Sequence, residues 1–188
     1  MFYASGVLLI RLLGIFAVCL ALVSCAGRVS LSPATDAGLA SRGWEEARNL
    51  AYYAPSGVRL TKGLICRSPR CGGPGFVMTG TASLPNGSAL GFRGVMANRS
   101  LTDAKLLQAL RLLSEGSPNL AGIDGHLIGA RKQANSVVLT FSFAKSTPQT
   151  GRIIGLARAD VRGTDMSVVV AGGPTMASAR QRLGLLPN

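Results

Sequence analysis

The stretch Ser136-Val137-Val138-Leu139-Thr140-Phe141-Ser142-Phe143-Ala144 decides the fold class. Val137, Leu139, Phe141 and Phe143 fall on one side of an extended chain, and Ser136, Thr140 and Ser142 on the other. That is the pattern of a strand with one face on a core and the other toward water. Residues 125–132, 152–161 and 165–171 read as three further strands. Arg162-Gly163-Thr164 is too short for anything but an antiparallel turn between the last two.

Working back toward the N-terminus, Pro85-Asn86-Gly87 separates two apolar segments, 76–84 and 88–97. Asn-Gly supplies the two positive φ angles of a type I′ turn, so the spacing predicts a hairpin with Leu90, Phe92 and Met96 on one face of its second strand. Ser100-Leu101-Thr102-Asp103 reads as a capping box with Asp in place of Glu. It opens a helix whose apolar stripe is Leu106, Leu107, Leu110 and Leu113, ended by Gly116. A weaker helix is expected within 36–53, where Trp44, Ala47, Leu50 and Ala51 fall at helical spacing, with Gly38 and Gly43 weakening its first half. Residues 58–64 read as a short strand.

A last helix at 175–183 turns Met176, Ala179 and Leu183 inward and places Arg180 and Arg182 near its C-terminus, where cations suit the dipole. The expected fold is α+β: an antiparallel sheet of about six strands with two or three helices packed on one face. The element order is loosely similar to that of PsbP-like domains, a likeness of fold that implies no activity.

The N-terminus specifies an address. Twelve apolar residues, 12–23, follow the basic Arg11 and end in Leu22-Val23-Ser24-Cys25. The run has the proportions of a secretory h-region and is too short to span a bilayer. Leu22-Val23-Ser24-Cys25 resembles the lipobox of bacterial lipoproteins. The resemblance implies that Cys25 is lipidated and becomes the first mature residue, with cleavage between Ser24 and Cys25, and that its new amino terminus is acylated. Two or more acyl chains anchor stably where one holds only marginally.

The residue after the cysteine is Ala26, which by the same resemblance favours the outer membrane, facing the periplasm. The segment before Arg11 is unusually apolar for an n-region. An uncleaved anchor, a misassigned start codon and a secreted chain therefore stay open as alternatives. The expected organisation is a signal peptide (1–24), a lipidated cysteine and polar tether (25–34) and one α+β envelope domain (35–188).

Lys and Arg number 20 against 8 Asp and Glu, a formal balance of +12. The leader contributes only Arg11 to it, and the rest is spread from Arg28 to Arg182 rather than gathered in a run. Exported chains meet lipid headgroups and anionic glycans rather than nucleic acid, so anionic envelope components or a protein partner are the expected contacts. Scattered arginine also reads simply as a solubilising surface.

With Cys25 assigned to lipid and Cys19 inside the leader, Cys66 and Cys71 remain as a pair in an oxidising compartment. Cys66-Arg67-Ser68-Pro69-Arg70-Cys71 suits a small disulfide-closed loop, with reactive or reduced thiols as the alternative. The chain's single histidine, His126, leaves a zinc site short of ligands, and no metal or cofactor is called for.

Catalytic signals are poor. Asp124-Gly125-His126 would need a serine from elsewhere to make a triad, and no Gly-x-Ser-x-Gly elbow is present. Glu45 and Glu46, being adjacent, diverge around a helix. Ala171-Gly172-Gly173-Pro174-Thr175 reads as a tight strand-to-helix connection, or as backbone N–H groups offered to an anion, and it matches no nucleotide fingerprint. Trp44, Tyr52 and Tyr53 read as core, with a ligand site as the alternative.

The expected function is non-enzymatic: a lipid-anchored envelope protein that binds an envelope component or a protein partner. The alternatives are a carrier or sensor of a small apolar ligand, held in a cavity lined by Leu106, Leu110, Phe141 and Phe143, and an envelope hydrolase built on Asp124 and His126.

Overall fold

The structure, a computed structural model, describes residues 31–33, 36–48, 50, 58–67, 69–84, 86–115, 124–133, 136–144 and 153–186. The leader with Ser24 and Cys25 lies outside the described residues, as do Ala51, Tyr52 and Tyr53.

The chain forms β1 (Leu31–Pro33), α1 (Ala37–Ser41), β2 (Trp44–Ala47), β3 (Arg59–Cys66), β4 (Gly75–Ser83), α2 (Asn86–Ala97), α3 (Asp103–Glu115), β5 (Asp124–Gln133), β6 (Ser136–Ala144), β7 (Ile153–Arg162), β8 (Asp165–Gly173) and α4 (Met176–Leu183). The fold is α+β. Its single sheet has eight strands in the order β1-β2-β3-β4-β8-β7-β6-β5, and every neighbouring pair is antiparallel. After β4 the chain crosses to the far edge through α2 and α3. It then returns strand by strand until β8 pairs with β4.

Alternation along the strands divides the apolar side chains between two faces. Phe76, Met78 and Ala82 of β4 share a core with Met166, Val168 and Val170 of β8, Ala157 and Ala159 of β7, and Val137, Leu139 and Phe141 of β6. Ala89 and Phe92 from α2 and Leu106 from α3 cover it. The opposite face carries a smaller cluster of Trp44, Leu64, Cys66, Val77, Val169 and Ala171. Leu186 closes it, with Leu39, Ala40, Leu183 and Leu185 at its margin. Helices therefore lie against both faces and not one, because strands buried on both sides need cover on both. Val168-Val169-Val170-Ala171 in β8 is buried throughout and requires exactly such double cover.

The clearest departure from the sequence expectation is at Asn86-Gly87, which starts α2 rather than a hairpin turn. Ala89, Phe92 and Met96 recur at helical spacing, and Ala89 and Phe92 are buried while Met96 is partly so. Leu90, which a strand would have placed beside Phe92, is 62% exposed. Glycines at 87, 91 and 94 weaken the helix locally, so packing of this face holds it. Leu90→Gln is accordingly expected to change stability by no more than about 0.5 kcal/mol in urea unfolding. A core position would lose several times that.

The helix expected within 36–53 is also replaced. Asp36 caps α1, its carboxylate accepting from the Gly38 N–H at 2.7 Å. Gly43 then adopts φ +82°, a left-handed value that ends a helix. Trp44–Ala47 continues as a strand, sending Trp44 to the smaller cluster and Ala47 to the larger one.

For α3 the cap is Thr102 rather than Ser100. Thr102 Oγ1 accepts from the Lys105 N–H at 3.4 Å, whereas the Ser100 N–H and hydroxyl both donate to Asn98 Oδ1. Asp103 instead accepts from the Lys132 N–H at 3.0 Å and ties the helix to β5. Leu106 is buried and Leu107 packs against the same core. The side chains of Leu110 and Phe143 lie outside the described residues.

Leu31–Pro33, within the stretch read as tether, forms the short edge strand β1 against β2. Three residues, one of them a proline, leave little free edge for another chain to extend. No helix among the described residues is long and apolar enough to cross a membrane.

Candidate functional site

The end of the sheet that carries Trp44, Cys66, Gly75 and Gly173 gathers the most unusual chemistry among the described residues. Cys66 ends β3 and is joined by a disulfide to Cys71, their Cα atoms 6.1 Å apart. A short 3-10 turn, Pro69–Cys71, lies between them. Gly72 and Gly73 follow at φ +80° and +91°, conformations that L side chains rarely adopt. This backbone aims successive carbonyl groups inward at one side chain, Arg182.

Arg182 is 3% exposed. Its Nη1 donates to the Gly172 carbonyl at 2.7 Å and the Pro74 carbonyl at 3.0 Å. Its Nη2 donates to the carbonyls of Gly73, Cys71 and Gly72 at 2.8, 3.2 and 3.2 Å. The guanidinium lies 5.5 Å from the centroid of the Trp44 ring, within cation–π range. Burial pushes its pKa down from the ordinary value, yet a guanidinium stays charged in proteins. These partners are carbonyl dipoles and not carboxylates, so its charge is solvated by dipoles rather than neutralised.

Local sequence explains the placement. Ala179 and Arg182 stand one helical turn apart on the side of α4 that faces the sheet, Leu186 follows just beyond the helix, and all three are buried. The helix start is fixed by a reciprocal cap: Thr175 Oγ1 accepts the Ser178 N–H and Ser178 Oγ accepts the Thr175 N–H, both at 3.1 Å. That cap occupies the Thr175 N–H within Ala171-Gly172-Gly173-Pro174-Thr175. The segment makes a capped connection, and the Gly172 carbonyl takes the arginine.

Space for the guanidinium comes from glycine. A Cβ on Gly75 would overlap both Arg182 and the Gly172 carbonyl oxygen, and one on Gly173 would overlap Arg182 and Ser178 Oγ.

Outside this cage lies a hollow of about 330 Å³ lined by Arg42, Trp44, Arg70, Cys71, Gly72, Ala177, Ser178, Gln181, Arg182 and Leu185. That is the lower end of the range for small-ligand sites. Arg42, Arg70 and Gln181 are exposed at it, and no Asp or Glu is among its described lining residues. A wider groove of about 830 Å³ at the other end of the sheet is lined by Arg59, Arg162, Asp160 and Asp165 among others. Its charges are mixed, and Asp160 already pairs with Arg158 at 3.0 Å.

The structure places Asp124 and His126 on the edge strand β5, opposite Ala144 and Ser142 of β6. Their side chains lie outside the described residues. Among the described residues no group of three or more His, Cys, Asp or Glu could hold a metal ion. Trp44 is core, as its helical spacing had suggested, although it reaches the core from a strand. Leu106 and Phe141, two of the residues considered for an apolar ligand, are buried within the main cluster.

Arg182 is what sequence reasoning missed, since its position near a helix C-terminus suited a solvent-facing cation. The signal lay in its register with Ala179 and in the five glycines at 72, 73, 75, 172 and 173.

No protein-family model matches the chain, and no curated protein is similar to it. Among solved structures it is similar to the solution structure of cyanobacterial PsbP (CyanoP) from Synechocystis sp. PCC 6803. The identity is 12% and the TM-score 0.31, over 81% of this chain and 84% of that one.

Proposed function

We propose that this chain is a lipid-anchored, non-enzymatic protein of the bacterial cell envelope, whose folded domain binds an envelope component at the Trp44 end of its sheet. The observation that carries the reading is Leu22-Val23-Ser24-Cys25 directly after the apolar run and Arg11. Cys25 bears the lipid, and the mature chain begins there. β1 starts at Leu31, so the domain is tied within about 20 Å of the acyl-bearing cysteine at 3.3–3.6 Å per extended residue. The domain is thereby kept at the membrane surface. Ala26 directs it to the outer membrane, facing the periplasm.

The binding part of the reading is supported by a hollow at which Arg42 and Gln181 are exposed and whose described lining residues include no Asp or Glu, together with a positive charge held just beneath it by Arg182. Cationic surfaces of this kind concentrate anionic partners.

Cys25→Ser tests the anchor. The wild-type chain is expected to sediment with membranes and to resist extraction by high salt, while the variant moves to the supernatant. A variant that stays in the membrane fraction would overturn the lipid anchor in favour of an uncleaved transmembrane segment.

A further inference from the structure

We infer that the Cys66–Cys71 disulfide and Arg182 together form a redox-controlled latch on α4. In the oxidised chain the helix is held against the sheet, and reduction by a dithiol releases it. The inference goes beyond the binding reading above and depends on neither the lipid anchor nor a ligand in the hollow.

Cys66 pairs with Gly75 in the β3–β4 ladder, so the chain between them is a hairpin loop, and the disulfide pins Cys71 of that loop to the end of β3. The segment from Cys71 to Pro74 supplies four of the five carbonyl groups that hold Arg182, and Gly172 of β8 supplies the fifth. Two of the four belong to Gly72 and Gly73 at positive φ, and glycine loses more conformational freedom on ordering than any other residue. Opening the S–S bond returns that freedom to the loop. Its carbonyl groups then no longer converge on one guanidinium.

α4 is the element that depends on this hold. It has eight residues, too few to persist in water without packing, and Arg182 is the buried side chain by which the loop grips it. The reduced state is also provided for. Cys66 Sγ lies 2.9 Å from the Gly73 carbonyl oxygen and Cys71 Sγ 3.5 Å from that of Gly43. Each thiol therefore forms with an acceptor in reach, and the Cys66 thiol competes with Arg182 for Gly73.

Access sets the order of events. Cys66 is buried, whereas Cys71 is half-buried and lines the hollow, so the first thiolate of the dithiol attacks Cys71 Sγ. The S–S bond breaks, its electron pair leaves on Cys66 Sγ, which takes up a proton, and Cys71 is left joined to the reductant as a mixed disulfide. The second thiolate of the reductant then displaces Cys71 Sγ, which is protonated in turn, and the reductant departs as its own disulfide. Two electrons and two protons pass from the dithiol to the protein.

The test is amide hydrogen exchange, read by mass spectrometry on the full chain carried in phosphatidylcholine discs, before and after treatment with dithiothreitol. Alkylation of a parallel sample confirms that the bond has opened. Exchange across residues 176–183 is expected to accelerate at least about tenfold on reduction, in keeping with the chain entropy that a short disulfide loop removes. β6 and β7 should stay within about twofold of their oxidised rates, as a separate and more stable unit. Reoxidation should restore the slow rate, and Cys66→Ser combined with Cys71→Ser should exchange at the fast rate with or without dithiothreitol. In Arg182→Lys the acceleration should shrink, because an ammonium bridges fewer of the loop's carbonyl groups to α4.

A bond that dithiothreitol does not open in the folded chain would overturn the latch, as would α4 exchange that is the same in both states or a double serine variant that keeps the slow rate. Equal acceleration of α4, β6 and β7 would also count against it, since the disulfide would then hold the whole domain. Full acceleration in Arg182→Lys would remove Arg182 as the link.

Discussion

Arg182→Ala is expected to cost about 3–5 kcal/mol of stability, the range found when one partner of a buried charge network is removed. The replacement deletes donors to five carbonyl groups. It leaves those oxygens in a space that alanine does not fill, and buried acceptors without partners are costly. For a chain of this size the melting temperature should fall by roughly 8–15 °C. Arg182→Lys should recover only part of the loss, because an ammonium is a compact point charge without the planar fork that reaches several carbonyls. Urea unfolding of the three proteins checks the order wild type, Lys, Ala. A side chain that merely complements a helix dipole would cost less than about 1 kcal/mol.

Gly75→Ala has the second largest expected effect. The added methyl overlaps the carbonyl oxygen of Gly172, a β8 residue paired with Phe76 of β4, and the Arg182 guanidinium. Neither can move freely, since the carbonyl is backbone and the arginine is held by five hydrogen bonds. The cost should reach about 3 kcal/mol, the upper part of the overpacking range. Combining Gly75→Ala with Arg182→Ala removes one of the two overlaps. The pair is therefore expected to lose about 1–2 kcal/mol less than the sum of the single changes, as neighbouring sites in one network do. Strict additivity in the unfolding cycle would mean that glycine and arginine do not share a cage.

The disulfide belongs to the same unit. Its loop is short, and closing it removes chain entropy worth only about 2 kcal/mol. Its position matters more than that figure, because Cys71 gives Arg182 one carbonyl directly and the segment Gly72 to Pro74 gives three more. The loop, β8 and α4 are thus joined through one side chain, and the hollow is built on their junction.

How much of this could be read from sequence depends on which signals were local. The alternation in Ser136–Ala144 was, and β6 spans those same residues. Arg162-Gly163-Thr164 gave the β7–β8 hairpin, with Gly163 at φ +61°. Residues 86–97 were not decidable locally. Leu90, Phe92 and Met96 fit a period of two, while Ala89, Phe92 and Met96 fit a helical period. The choice is made by the core that α2 covers, which is a tertiary quantity. β2 was hidden for a related reason, since four residues are too few for a period and Gly43 interrupts the apparent helix.

The site was legible only in part. The cysteines and clustered glycines marked the loop, but the side chain that fills the loop comes from more than a hundred residues later, where its helix position suited solvent equally well.

The intact mass of the protein isolated from membranes of its natural host decides whether Cys25 is the acylated first residue. The expected chain begins at Cys25 and carries additional mass from a diacylglyceryl group and an amide-linked acyl chain. The same preparation of Cys25→Ser should show no acylated species. A mass that retains residues 1–24, or a chain starting at another residue with no acyl groups, would contradict it.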